Sequence, residues 1–156
     1  MRELTPKYGP DAEVHDETRR LADQPVKPTP DSDAESLALL ERFADAWNRH
    51  DLDALMSMMT DDCVFEASAG PEVDGHRSEG KPAVRVAYAA VFEAFPDAHW
   101  ANARYFISGD RAVSEWTFTG SHTDGRRVEV NGCDLLTIRD GKVAIKNSFR
   151  KNRVAK

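Results

Sequence analysis

The chain has 156 residues, 40% of them hydrophobic and 31% charged. That is enough for one domain with its own core and too apolar for a disordered segment. The net charge of −6 argues against nucleic acid as a main partner, although residues 139–156 carry seven basic side chains against one acidic.

Residues 1–32 are polar and broken by Pro6, Pro10, Pro25, Pro28 and Pro30. They read as an N-terminal arm, loose or laid on a partner subunit, with 33–156 as a single domain. Ser32 and Glu35 have the spacing of a capping box, and Leu37, Leu40, Ala44 and Trp47 form one helical stripe with Phe43 beside it. Asp51 can cap a second short helix, LDALMSMM, whose Leu52, Leu55, Met56 and Met59 line one side. CVFEAS then reads as a strand and AGPEVDGHRSEG as a loop. Lys81-Pro82 opens a third helix that stops at Pro96.

The rest reads as sheet. Alternating runs are separated by Gly109-Asp110, Asp124-Gly125 and Asp140-Gly141, all hairpin signals. The predicted class is α+β: a curved antiparallel sheet wrapped around about three N-terminal helices, a cone with a pocket at its mouth. No run approaches the ~18–20 apolar residues of a membrane span. The start, MRELTPKYGP, lacks the basic-then-apolar pattern of a secretory signal, so the expected setting is the cytoplasm, without a membrane partner. Cys63 and Cys133 are too few for a disulfide framework and read as small apolar residues. The five histidines show no metal-binding spacing, and no nucleotide-binding glycine motif is present, so neither metal nor cofactor is expected.

The segments AWNRHDLDALMSMMTDDCVFE, EAFPDAHW, GDRAVSEWTFTGSH and GRRVEVNGCDLLTIRDGKV together resemble the nuclear-transport-factor-2-like superfamily. The nearest branch is that of SnoaL-like polyketide cyclases and ketosteroid-isomerase-like proteins. The resemblance covers roughly residues 34–150. It implies the cone fold, and it leaves function open, because one fold hosts many chemistries. The isomerases' catalytic tyrosine corresponds to Phe43, and their general-base aspartate corresponds to Ala67. Their third group, an acid kept neutral in an apolar site, corresponds to Asp134, nine residues after Gly125. In the SnoaL-like branch that aspartate is itself the acid/base, and Gly120-Ser121-His122 matches a stretch that brings a histidine nearby.

Asp134 and His122 are therefore the candidate catalytic pair. A carboxylate in the otherwise apolar strand VEVNGCDLL needs a partner or a use. Phe43, Trp47, Met59, Phe65, Phe92, Trp116, Leu136, Asn147 and Phe149 are the expected pocket lining. A two-residue turn at Asp140-Gly141 would put Asp134 on one face with Val143, Ile145, Asn147 and Phe149. A two-residue turn at Asp124-Gly125 would send Trp116, Phe118 and His122 to the other face. A three-residue loop there, or a bulge at Asn131-Gly132, would bring them back. The function so read is acid/base chemistry, of isomerase or cyclase type, on a hydrophobic carbonyl compound by a homodimer. The alternative is a non-catalytic ligand-binding or accessory module.

Overall fold

The computed structural model describes residues 30–153. The predicted arm lies almost entirely outside the described residues. Helix α1 (Pro30–Asn48) begins before the anticipated Ser32 cap. Its Leu39, Leu40, Phe43, Ala46 and Trp47 are buried at helical spacing. Helix α2 (Leu52–Ser57) starts at Asp51, whose side chain accepts from the Ala54 N–H at 2.9 Å. It ends sooner than the apolar pattern suggested, because Met59 already belongs to strand β1 (Met59–Glu66). Part of the expected loop pairs instead, as the short strand β2 (Arg77–Glu79). Helix α3 (Lys81–Ala94) carries proline in its first turn and stops before Pro96.

Strands β3 (His99–Ser108), β4 (Arg111–Ser121), β5 (Arg127–Arg139) and β6 (Lys142–Arg150) form the meander. The single sheet runs β2-β1-β6-β5-β4-β3. It is open and curved, and its β1–β6 pair is parallel while the others are antiparallel. Helices collected on the concave face of such a sheet make the predicted α+β cone.

Three local features set its shape. Between Ala101 and Arg104 the two residues Asn102 and Ala103 oppose only Trp116, a bulge that bends β3 over β4. Between Thr137 and Ile138 the β5–β6 register shifts, and Ala144 is the extra residue. The β4–β5 connection is a three-residue loop, Thr123-Asp124-Gly125. It is closed by the His122 N–H on the Arg126 carbonyl at 2.8 Å, and Gly125 supplies a φ of +88°. The main core packs α1, α2 and α3 against the sheet, with Leu55, Met59, Val84 and Tyr88 fully enclosed.

Candidate active site

Asp134 lies on the concave face and is only 7% exposed. The three-residue loop puts it opposite Ser114, on one face with Trp116 and Phe118. The extra residue Ala144 shifts the other neighbour, so Asp134 pairs with Ser148 rather than standing beside Asn147. Its surroundings are therefore Lys146, Ser148 and Trp116. Oδ1 accepts from Lys146 Nζ at 2.8 Å and from Ser148 Oγ at 2.6 Å. Oδ2 accepts from Trp116 Nε1 at 3.0 Å. Lys146 Nζ also donates to Ser148 Oγ at 2.6 Å.

The Lys146 ammonium is 6% exposed as a residue and sits between aromatic rings, 5.2 Å from the Trp47 centroid and 5.1 Å from that of Phe65. Such cation–π contacts compensate part of the hydration lost on burial. Tyr88 lies close behind. Burial pushes its phenol well above the ordinary value, the Asp134 charge adds to that, and its hydroxyl rests 3.3 Å from Met59 Sδ.

Gly132 makes the Trp116 bond geometrically possible. Trp116 pairs directly with Gly132 in the ladder. A Cβ at Gly132 would stand 2.3 Å from Trp116 Cη2 and 2.4 Å from the Phe149 carbonyl oxygen. With no side chain there, the indole lies across the strand and reaches Asp134, two residues on. Asn48 fixes a second tryptophan: its amide donates to the Trp100 carbonyl at 3.0 Å and accepts from the Trp100 N–H at 2.8 Å, tying the end of α1 to β3.

An inner cleft of about 780 Å³ opens between α3 and the sheet. Its wall on α3 is made of Val86, Val91 and four alanines, Ala83, Ala87, Ala90 and Ala94, at helical spacing that leaves room. Trp47, Phe65, Trp100, Trp116 and Phe118 form aromatic walls, and Ser78, Lys146 and Ser148 are its buried polar groups. Asp134 does not border this cleft. It borders a cavity of about 30 Å³ behind it, together with Phe43, Trp47, Trp116 and Leu136. Trp47 borders both, and its indole N–H is buried without a partner among the described residues. At the mouth, Arg77 is bound to Glu66 and, at 2.7 Å, to Glu79.

The structure thus brings together Asp134, Phe43, Trp47, Phe65, Trp116 and Leu136. The other anticipated residues lie elsewhere, each for a definable reason. His122 is at the far end of the β4–β5 hairpin, eight residues along the strand from Ser114, the cross-strand partner of Asp134. Its ring meets Phe95 edge-on at 5.2 Å and its Nδ1 lies 3.0 Å from Asp124. Asn147 and Phe149 turn to the convex face because of the extra residue at Ala144. Phe149 there borders an outer cleft of about 700 Å³. Met59 is enclosed in the core. Phe92 packs on Trp47 at 5.3 Å and on His50 at 4.3 Å, beside the inner cleft rather than in it. Lys146 and Ser148 were the residues sequence reasoning missed. In KVAIKNSFR they occupy positions that simple alternation assigns to the outside, and only the register shift turns them inward.

Comparison with known families matches residues 40–145 to the SnoaL-like domain. The chain belongs to that family. Solved structures agree on the fold of this SnoaL-like protein. An NTF2-like protein of unknown function from Mesorhizobium loti is 27% identical, with a TM-score of 0.65 over 81% of this chain and 98% of that one. A protein assigned as a polyketide cyclase from Xanthomonas campestris is 19% identical, with a TM-score of 0.68 over 76% and 91%. TerC, crystallised with polyporic acid, is 18% identical, with a TM-score of 0.65 over 75% and 92%. No curated protein matches the chain. Among the described residues no helix is long and apolar enough to cross a membrane, and no group of three or more His, Cys, Asp or Glu converges.

Proposed function

We propose that this SnoaL-like protein is an enzyme that moves a proton α to the carbonyl of a hydrophobic compound bound in the inner cleft. The observation that carries the reading is the buried Lys146–Asp134 pair at 2.8 Å, set where an aromatic cleft meets its polar floor. An ammonium has three N–H donors, and two are engaged, by Asp134 and Ser148. The third is free to meet an oxygen on which negative charge develops. The orphaned indole N–H of Trp47 is a further donor in the same wall. Ser148 Oγ can pass a proton to Asp134 Oδ1 across their 2.6 Å bond, so Asp134 acts as base without touching the substrate itself.

The test needs no knowledge of the natural substrate. Propiophenone, benzylacetone and benzoylacetone would be incubated with the protein in deuterated water, and α-deuterium uptake followed by NMR. Uptake above buffer is expected, and Asp134→Asn should reduce it by about 10²–10⁴, the usual contribution of a general base. Undiminished uptake in Asp134→Asn would remove Asp134 from the chemistry.

One observation favours the second reading, a binding module: Asp134 is screened from the cleft by Lys146 and Ser148. Ketones that bind and never exchange would decide for it. The reading also includes a homodimer through the convex face, where Phe106 and Phe149 are 59% and 49% exposed. Sedimentation should give twice the chain mass, and Phe149→Glu should return a monomer; a monomeric wild-type protein would dispose of that part.

A further inference from the structure

Lys146 is more than a counter-ion in this geometry. A buried ion pair is a weak source of stability, since well-packed apolar residues in its place commonly do as well. Lys146 is the member of the Lys146–Asp134 pair that lines a cleft large enough for a small organic molecule. Its Nζ has a carboxylate and a hydroxyl within 2.8 Å and aromatic faces at about 5 Å. An amine in an apolar wall, with an acid/base pair in direct contact, has the parts that amine catalysis on carbonyl compounds needs.

We propose that Lys146 is an imine-forming nucleophile, condensing with the carbonyl carbon of a hydrophobic ketone or aldehyde held in the inner cleft. The inference rests on the proposed reading that the cleft receives such a compound. The ammonium first hands a proton to Asp134 Oδ1 along the 2.8 Å bond. The nitrogen lone pair then adds to the carbonyl carbon, forming the C–N bond as the C=O π pair moves to oxygen. That oxygen takes a proton from Ser148 Oγ, which is replenished from Asp134. The carbinolamine oxygen then takes the nitrogen's second proton, again through Ser148, and leaves as water. The balance is Lys-NH₃⁺ plus R₂C=O giving Lys-NH⁺=CR₂ plus water, with no oxidant or reductant. The iminium stands beside the Asp134 carboxylate, which is again charged. An iminium also acidifies the adjacent C–H bond more than the parent carbonyl does, so the same carboxylate can then draw off the α-proton through Ser148.

Binding and condensation can be read separately. All three tryptophans of the chain border the inner cleft, so their fluorescence reports occupancy whether or not chemistry follows. Benzylacetone and naphthaldehyde would be titrated against the full chain, then treated with cyanoborohydride, and the protein digested and weighed. The expected result is a reductant-dependent mass gain equal to the probe less its oxygen. It should map to Lys146, saturate with the same concentration dependence as the fluorescence change, and vanish in Lys146→Arg. The mapping is made on the wild-type protein, so it stands even if the variant folds poorly. Binding without an adduct, or adducts spread over exposed Lys142 and Lys151 without preference for Lys146, overturns the imine and leaves the proton-transfer reading intact. No fluorescence response from either probe, with no adduct at Lys146, overturns the premise and the imine together.

Discussion

Lys146→Met is expected to destabilise the fold by about 3–5 kcal/mol, because it strands the buried Asp134 carboxylate without its cation. The carboxylate would keep the hydroxyl of Ser148 and the indole N–H of Trp116, two neutral donors. Neutral donors do not replace an ammonium when both partners are almost fully enclosed, at 8% and 10% side-chain exposure. The double variant Lys146→Met/Asp134→Leu should regain most of the loss, since removing both charges also removes the desolvation they incur. Urea unfolding of the two variants and the wild type completes the comparison. If the single variant lost under about 1 kcal/mol, the value of an exposed pair, the cluster would be solvated and its catalytic reading would fail with it.

The second large effect is expected at Gly132. Gly132→Ala should destabilise by about 1–3 kcal/mol or more, the usual range for overpacking, because two obstacles must move at once. The indole ring of Trp116 could swing away, but the Phe149 carbonyl is backbone in the neighbouring strand and cannot yield without disturbing the β5–β6 ladder. The consequence for the site is specific. A displaced Trp116 releases Asp134 Oδ2 and changes the wall of the inner cleft. Thermal unfolding, together with indole N–H chemical shifts, would show both effects. An unchanged melting temperature with an unmoved Trp116 resonance would mean that the indole does not lie over the strand there.

Much of the architecture was legible along the chain. The stripe of α1, the Asp51 cap, the proline-opened α3 and the three hairpins each rest on interactions between near neighbours. Such interactions repeat from one sequence to another. Asp134 was also legible, since a carboxylate inside an apolar strand must be paired or used wherever it occurs. Its companions were not. Simple alternation pointed to Asn147 and Phe149, and the extra residue at Ala144 turned Lys146 and Ser148 inward in their place. The insertion leaves no mark in KVAIKNSFR, where Ala144 reads as an ordinary strand residue. His122 was lost for the opposite reason. It does follow the matching Gly120-Ser121 pair, but strand length carries it to the remote end of the hairpin.

The order of elements, the α+β class and the presence of one buried acid in β5 were thus determined by the sequence itself, through periodicity, turn chemistry and the high free energy of an unpaired buried charge. The tertiary structure decided what that acid meets. A side-chain period of two makes every facing in a sheet depend on single-residue shifts, and those are set by how strands pack and bend rather than by their composition. A three-residue loop brought Trp116 to Asp134, an extra residue in β6 brought Lys146 and Ser148, and a glycine left room for the indole to lie between strands.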